Sequence, residues 1–515
     1  MESLNSDFLA DVSSAILVTV AAWATIYPLG LAIYRLMFSK LAGFPGPRLA
    51  AATGWYEFYY DSLCQGKYIF EIEKMHAEYG PIVRINPHEL SISDPDAYND
   101  IYVSKQRTEN YDNFIKGISF EGSHLLTKSH ELHRRRRKPL EPFFSRLGVS
   151  RLQPMLAEVV EKLAGRLEAL KGTHSVIRLD HAFSAFSGDI IGRICWEGEK
   201  ELLDDPKFAP EWFNVIHMIV RSIPLFTGFP ILMQIISLIP ESVVLWALPS
   251  SQSFNEFSKM AKDHVLKAKR EKLEQDRKST PMDNNTSLFH YIFDSDMPES
   301  ERSDDRLAKE AQLLLAGGTV STARTLSFIS FYILANPDIH SRLKEELRDV
   351  MATYPQQVPP WAQLERLPYL QALIKEGLRL SYGVMHRLPR VSPDVPIRYK
   401  RWTIPVGVPV GMSAYLMHSD PIVYPKPSEF LPERWLGDID PAMNRNFVPF
   451  CRGSRNCLGQ NLALAEISLI LAVLYRPSGP TFELFETDES DVVQAHDFLV
   501  PLPRLDTKGV RILVR

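Results

Sequence analysis

An uncharged, mostly apolar segment, residues 12–34, is the first feature of the hydrophobic pattern. It is longer than the roughly 20 residues that a helix needs to span a bilayer. Acidic residues precede it and basic residues follow it: Glu2, Asp7 and Asp11, then Arg35 and Lys40. A cleaved signal peptide is the alternative, but its start would be basic. We therefore predict a single uncleaved transmembrane helix in an anchor of residues 1–40, with the rest of the chain in the cytosol.

Helical periodicity dominates from about Asn99 to Leu380, and strand-like alternation is confined to short pieces near 81–94 and 395–410. The Phe-Pro-Gly-Pro sequence at residues 44–47 cannot continue a helix and predicts a stiff turn after the anchor. The pattern predicts that the part of the chain after the anchor is mainly α with small β-sheets.

A second uncharged apolar region runs from Ser222 to Pro240. It could be a second membrane span, but three prolines interrupt it, and proline breaks a straight helix. We favour short helices that rest on or dip into a membrane surface.

The amino-acid composition argues against some classes of function. The net charge of −4 over 515 residues does not suggest a nucleic-acid-binding protein. Four cysteines in so long a chain do not form a disulfide framework and fit a reducing compartment. A thiol is therefore available for metal chemistry.

Residues 450–459, Phe-Cys-Arg-Gly-Ser-Arg-Asn-Cys-Leu-Gly, carry the strongest chemical signal. Glycines at 453 and 459 permit a tight turn and close approach to a flat group. Arg455 places positive charge near Cys457, and a predicted helix, Gln460–Leu474, begins just after the cysteine. A helix N-terminus stabilises negative charge on sulfur.

This segment resembles the haem-binding loop of the cytochrome P-450 family, Phe-x-x-Gly-x-Arg-x-Cys-x-Gly, at every fixed position. The resemblance implies the cytochrome P-450 fold for residues 41–515 and haem b (iron protoporphyrin IX) as cofactor. It also implies that the Cys457 thiolate is the axial iron ligand and that Phe450, Arg455 and Gly459 help to bind the cofactor. A thiolate ligand favours O–O cleavage.

Two further segments resemble the family in the expected order. Glu376 and Arg379 match its Glu-x-x-Arg motif, and Arg434 lies in a segment that supplies a second arginine. Positions i and i+3 share a helix face, so Glu376 and Arg379 can pair. The resemblance implies a buried, structural charge network of these three residues.

A basic run, residues 133–138, resembles the family's Trp-x-x-x-Arg, with His133 in place of the tryptophan. His133 and Arg137 share a helix face and would reach one haem propionate. The other basic residues of the run would face outward, where an acidic redox partner could dock. The resemblance assigns Arg390 to the other propionate, with Arg387 as the second choice.

The predicted long helix from Asp305 to Leu334 departs from the family pattern. In the best register, Gly317 and Gly318 match the paired small residues, and Ser321 and Thr322 match the hydroxyl positions. Val320, however, stands where the family has an acid. Ser321 and Thr322 are the predicted catalytic residues, and the usual acid–alcohol pair is incomplete.

The resemblance implies a monooxygenase that hydroxylates or otherwise oxidises an apolar small molecule. The sequence as a whole resembles the fungal trichodiene-oxygenase-like branch of this family. That resemblance implies that the substrate is a terpenoid of secondary metabolism. An NADPH-dependent flavoprotein reductase would supply electrons, and the protein would reside in the endoplasmic reticulum membrane with a cytosolic catalytic domain. The predicted pocket segments are apolar: Phe114, Ile115, Ile118, Phe120, Ala316, Val320, Val384, Met385, Phe498, Leu499 and Val500.

Two other function classes remain open from the sequence. A haem-thiolate isomerase or dehydratase would rearrange its substrate without a reductase, and Val320 favours that hypothesis. A non-enzymatic haem sensor or binding protein is the third. Dependence of product formation on the reductase discriminates among them.

Overall fold

The computed structural model describes residues 2–103, 107–118, 120–196, 201–248, 251–278 and 287–515. Helices dominate it, as predicted. The first twelve are α1 (Glu2–Met37), α2 (Arg48–Ala52), α3 (Trp55–Phe58), α4 (Tyr68–Tyr79), α5 (Tyr98–Tyr102), α6 (Asp112–Lys116), α7 (His130–Arg137), α8 (Glu141–Phe144), α9 (Arg146–Arg151), α10 (Gln153–Glu168), α11 (Leu179–Cys195) and α12 (Pro210–Gly228). The others are α13 (Pro230–Leu238), α14 (Glu241–Ala247), α15 (Ser251–Lys278), α16 (Leu288–Asp294), α17 (Asp304–Ala335), α18 (Pro337–Val350), α19 (Trp361–Leu364), α20 (Pro368–Ser381), α21 (Ala414–His418), α22 (Pro441–Asn446) and α23 (Gln460–Leu474).

The strands are short and form small sheets at the edge of the helical body. They are β1 (Ile82–Arg84), β2 (Leu90–Ile92), β3 (Glu109–Asn110), β4 (Ile177–Arg178), β5 (Arg390–Val391), β6 (Ile397–Tyr399), β7 (Trp402–Ile404), β8 (Pro409–Gly411), β9 (Phe482–Leu484), β10 (His496–Phe498), β11 (Val500–Leu502) and β12 (Arg511–Val514). The largest sheet has the order β1-β2-β8-β5-β3, and only its β2–β8 pair is parallel.

Helix α17 is the central element of the main hydrophobic core. It has 32 residues, so it is about 48 Å long. Asp304 and Asp305 in its first turn suit the helix dipole, and it ends just before Pro337, which disfavours helix in the residue that precedes it. It packs along α11, α20 and α23.

Glycines set the closest contacts of α17. A Cβ on Gly377 of α20 would lie 2.2 Å from Cγ1 of Ile329, a clash that only a shift of the Ile329 side chain or of a helix could relieve. A Cβ on Gly318 would lie 3.0 Å from Cγ1 of Ile191 on α11. These glycines therefore fix how near the neighbouring helices come to α17.

Polar contacts hold both ends of α17. Near its start, Glu310 is fully buried and accepts hydrogen bonds from Arg306 at 2.6 Å and from the backbone N–H of His124 at 3.1 Å. Near its end, the Tyr332 hydroxyl donates to Glu489 at 2.7 Å. The helix is thus joined to the body at two distant points.

The predicted anchor segment lies in α1. Many described side chains on this helix are apolar and exposed, among them Val20, Trp23, Ile26, Leu29 and Ile33. Part of the predicted span, the side chains of residues 12–18 and 21, lies outside the described residues. Within the part of the chain that is described, no helix meets the length and hydrophobicity needed to cross a bilayer.

The second apolar region is not one straight helix. Helix α12 ends at Gly228 and α13 begins at Pro230, as the proline pattern predicts. Exposed apolar side chains lie along this region and into α14: Leu225, Ile231, Ile235, Leu238, Ile239, Val243 and Trp246. Contact of this surface with a membrane stays a prediction.

Candidate active site

The loop before α23 is shaped by one glycine and one backbone hydrogen bond. Gly453 has a φ of +79°, and a Cβ there would lie 2.0 Å from the backbone oxygen of Tyr102. The backbone N–H of Cys457 donates to the oxygen of Phe450 at 2.9 Å, which closes the loop. Gly459 lies between Cys457 and α23, and a Cβ on it would meet no atom within 4 Å.

The two cysteines of this loop have different surroundings. The Tyr98 hydroxyl donates to Sγ of Cys451 at 3.3 Å, and Cys451 packs on the hydrophobic cluster of the large sheet. The Cys457 side chain is exposed and lies just before α23. Desolvation by the surrounding protein atoms raises the pKa of the Cys457 thiol, while the hydrogen bond from the Gly459 N–H and the charge of Arg137 act in the opposite direction. Cys457 is therefore the thiol that is accessible to a ligand.

Helix α7 buries His133 and Arg137 on one face, as the i,i+4 spacing predicts. Arg137 donates to the backbone oxygen of Asn456 at 2.6 Å, to its side-chain oxygen at 2.9 Å and to Glu141 at 3.0 Å. His133 is 1% exposed, and its Nδ1 has no hydrogen-bond partner. Burial, and next the charge of Arg455, lower the pKa of His133 to about 2.

Arg455 and Arg390 complete a group in which three arginines carry the charge and His133 is neutral; we call His133, Arg137, Arg390 and Arg455 the cation cluster. Arg455 donates to the backbone oxygens of Thr127 and Lys128 at 2.8 Å each, but its buried Nε has no partner. Burial and the nearby charge of Arg390 lower the pKa of Arg455 to about 9.

Arg390 is better placed than Arg387 for an external anion. Arg390 donates only to the oxygen of its neighbour Pro389, at 3.2 Å, and lies 5.3 Å from the ring centre of Tyr102. Arg387 is already paired with Glu57 and, at 3.0 Å, with Glu89. Within the described residues, Arg390 and Arg455 form no ion pair with a carboxylate.

The cation cluster fits the chemistry of haem. Arg390 and Arg455 are buried guanidinium groups without carboxylate partners, which is costly unless an anion joins them, and haem carries two propionates. The unpartnered Nε of Arg455 and Nδ1 of His133 show that donor capacity is left for such a group. Together with the accessible thiol of Cys457, these residues suit an anionic, thiolate-ligated cofactor.

One expectation for the basic run is wrong. Arg136 does not face outward with its neighbours, because its Nε donates to Glu301 at 2.6 Å, and its Nη1 donates to Thr127 at 2.9 Å. The turn before α17 supplies this carboxylate. Arg134, Arg135 and Lys138 are exposed, as predicted.

Helix α17 separates the predicted hydroxyl residues. Gly317 is exposed, and the Ser321 hydroxyl donates to its backbone oxygen at 3.1 Å, so both lie on one face. Thr322 is buried and lies on another face. Thr319 is fully buried, with no partner for its hydroxyl. Ser321 is therefore the accessible hydroxyl of this segment, and the catalytic role of Thr322 stays a prediction.

The predicted charge network is present. Both oxygens of Glu376 are used: Arg379 donates to them at 2.8 and 2.9 Å, Arg434 donates at 3.0 Å, and Trp435 donates at 2.8 Å. Glu376 and Arg379 are fully buried. The network joins α20 to the segment that precedes the cysteine loop.

Two predicted pocket segments meet, and they bring together a pair that the sequence did not reveal. The backbone N–H of Met385 donates to the oxygen of Leu499 at 3.0 Å. Next to Met385, Nδ1 of His386 lies 2.9 Å from Oδ2 of Asp497. These two residues are 111 positions apart, so no local pattern could pair them. His386 also stacks on Phe114, at 6.4 Å between ring centres.

Comparison of the sequence with known proteins supports the interpretation of this site. A family profile described as Cytochrome P450 matches residues 52–492. The chain belongs to the cytochrome P450 family. It is 54% identical over 514 residues to cytochrome P450 monooxygenase oblB of Aspergillus clavatus, which covers 99% of both chains.

Two further relatives carry names that state a product or a position. Fusicoccadiene C-8 hydroxylase of Phomopsis amygdali is 48% identical over 492 residues, 94% of this chain and 93% of the relative. Stellatic acid synthase of Emericella variicolor is 45% identical over 515 residues, 95% and 93% respectively.

This cytochrome P450 is a monooxygenase, an oxidoreductase that uses haem with a cysteine thiolate ligand. When bound, haem supplies the iron centre at which molecular oxygen is activated. The protein's own contribution is to hold the cofactor, to position a substrate and to deliver protons. Enzymes of this family generally work with a redox partner and a small-molecule substrate.

Proposed function

We propose that this cytochrome P450 hydroxylates or otherwise oxidises an apolar terpenoid in fungal secondary metabolism. The observation that carries the proposal is the 48% identity, over nearly the full length, to a relative named fusicoccadiene C-8 hydroxylase. In the present protein, the loop that contains Phe114, Ile115, Ile118 and Phe120 is apolar, and these four side chains are buried in the main core. An apolar loop of this kind supports an apolar substrate.

We assign the roles within the site as follows. Cys457 binds the iron, since it is the accessible thiol of the loop. The cation cluster binds the two propionates through charge-assisted hydrogen bonds. Phe450 and Gly459 shape the loop on either side of the ligand. The Ser321 hydroxyl, which lies on the Gly317 face of α17, would supply protons for the reaction.

We further propose that an NADPH-dependent flavoprotein reductase docks on the exposed basic residues of α7, Arg134 and Arg135. Acidic partners recognise such a surface through long-range attraction. The segment of residues 1–40 anchors the enzyme in the endoplasmic reticulum membrane, supported by the exposed apolar side chains of α1. Deletion of residues 1–40 should release much of the protein from membranes while haem binding is kept, and loss of haem in the truncated protein would argue against a separable anchor.

The test of the proposed reaction is turnover of candidate terpene hydrocarbons by the purified enzyme with reductase, analysed by mass spectrometry. We expect products heavier by one or more oxygen atoms, formed only with both oxygen and NADPH. Val320, an apolar residue at the family's acid position, favours one alternative, an isomerase or dehydratase. Sustained product formation without oxygen and reductase would support that alternative and overturn the proposal.

A further inference from the structure

A cavity of about 610 Å³ lies beside α17. Its walls come from α11, α12, α17 and the C-terminal residues between 491 and 510. The volume falls in the range of small-molecule sites, about 300–1,000 Å³. Val320 lines it, but Ser321 and Cys457 are not among the described residues that line it. The cavity is therefore a different compartment from the Gly317 face of the helix.

The walls carry more positive than negative charge. Four arginines line the cavity, against two aspartates. Both aspartates are already paired, Asp180 with Arg178 and Asp491 with Arg504 at 3.0 Å. Among the described residues, the other two arginines, Arg221 and Arg324, have no carboxylate partner. The cavity therefore has an uncompensated positive charge.

Arg324 is the less exposed of these two cations, because it is half-buried whereas Arg221 is exposed. It donates from Nη2 to the backbone oxygen of Val492 at 3.0 Å, while its buried Nε has no partner. Burial lowers the pKa of Arg324 to about 10, as expected for a guanidinium without a counter-ion, and it is still charged at neutral pH. A half-buried guanidinium that lines a cavity without a carboxylate partner is stabilised when an anion binds beside it.

Val320 lies four residues before Arg324, and both side chains line the cavity. Positions i and i+4 on a helix are near enough to form an ion pair. An acid at position 320 would therefore be within reach of Arg324. The valine of this chain leaves the arginine without that internal partner.

We propose that this cavity binds an apolar molecule that carries one carboxylate, and that the carboxylate pairs with Arg324. The guanidinium fork matches the geometry of a carboxylate, which explains an arginine at this position. The rest of the ligand lies against the apolar part of the wall, which includes Phe213, Ile216, Val320, Phe328 and Leu505. The proposal goes beyond the terpenoid reaction and does not depend on it.

The test is binding of dodecanoate, with dodecanol as the uncharged probe of equal chain length, to the haem-loaded full chain. Isothermal titration calorimetry should give an affinity for dodecanoate at least about tenfold higher than for dodecanol. Arg324→Gln should weaken dodecanoate binding by about tenfold or more and leave dodecanol binding unchanged. Folding is expected to survive, because this substitution removes a half-buried charge that has no ion-pair partner.

Val320→Asp and Val320→Asn form a matched pair of variants that tests the same site by giving Arg324 a partner within the protein. The new carboxylate should pair with Arg324, weaken dodecanoate binding about tenfold and raise the thermal stability relative to Val320→Asn. That gain in stability should disappear in an Arg324→Gln background. Equal dodecanoate affinity in wild type and Arg324→Gln would overturn the proposal. Acetate binding as tight as dodecanoate binding would also overturn it, because a site for a small free anion needs no apolar wall.

Discussion

Arg137 donates two hydrogen bonds to Asn456, to its backbone oxygen at 2.6 Å and to its side-chain oxygen at 2.9 Å. Asn456 immediately precedes Cys457. The arginine of α7 therefore fixes the backbone of the ligand loop in addition to contributing charge to the cation cluster. Loss of the Arg137 side chain should therefore disturb both the ligand loop and the binding of the cofactor's anionic groups.

We expect Arg137→Ala to lower haem retention, because a charge-assisted hydrogen bond contributes about 1.5–3 kcal/mol. The measurement is the haem content after gel filtration of the purified protein. Arg134→Ala is the matched control, since Arg134 is on the same helix and exposed. It should retain haem but weaken reductase-supported turnover, more strongly at low salt. Identical behaviour of the two variants would contradict the assignment of the buried face.

The two cysteines of the loop give a second prediction. Cys457→Ala should abolish the red-shifted carbon-monoxide band of the reduced protein, because the thiolate ligand is lost. Cys451→Ala should keep the band, because Cys451 contacts Tyr98 and lies against the sheet cluster. Absorption spectra of the reduced, carbon-monoxide-treated variants check this, and a band that survives in both would show the ligand assignment to be wrong.

The buried charge network gives a stability prediction. Glu376→Gln removes the carboxylate that pairs with Arg379 and Arg434, and leaving buried cations unpaired costs about 3–5 kcal/mol. Urea unfolding measures the loss. Glu433→Gln is the control, because its pair with Arg342 is half exposed, and such pairs contribute about 0–1 kcal/mol. Similar losses for both variants would contradict the structural role of the network.

The hydroxyl of Ser321 gives a prediction on coupling. Ser321→Ala should lower the product formed per NADPH consumed and raise peroxide release, because the accessible proton donor of the Gly317 face is removed. Ser321→Thr keeps a hydroxyl and should retain most of the coupling. The assay compares NADPH consumption with product and peroxide on a confirmed substrate. Unchanged coupling in Ser321→Ala would remove Ser321 from the proton route.

The pair of His386 and Asp497 gives a pH prediction. Burial alone would lower the pKa of His386, but the carboxylate of Asp497 outweighs it and raises the pKa above its ordinary value. Protonated His386 is thus favoured by folding, so the stabilisation is complete below the ordinary histidine pKa of about 6.5 and is lost as pH rises through the raised value. Asp497→Asn should therefore lower the melting temperature more at about pH 6 than at about pH 9. An equal loss at both pH values would show that the pair is not an ion pair.

Local patterns predicted a large part of the fold. Helix α23 has the bounds that its apolar run and the preceding Gly459 indicate, and α17 differs from the predicted helix by one residue at each end. Both helices have long apolar periodicities, which are the most reliable signal in a sequence. The buried face of α7 followed from i,i+4 spacing for the same reason.

Contacts between distant parts of the chain were not predictable in this way. Arg136 meets Glu301 over 165 positions, and nothing in the basic run distinguishes it from its neighbours. The cavity at Arg324 also depends on walls from four separate segments. The sequence did carry one indication of this site, because a charged residue such as Arg324 is unusual within the apolar half of a long helix. Only the tertiary packing shows which residues surround it.

The attachment of α17 at both ends has a consequence for protein engineering. A helix held to His124 through Glu310 near one end and to Glu489 through Tyr332 near the other resists sliding or tilting to make room for a bulkier ligand. Adaptation of the enzyme to a new carbon skeleton must then come from elements that are free to move. Directed evolution of product specificity should therefore gain more from the loop around Phe114 and from α12 than from substitutions along α17.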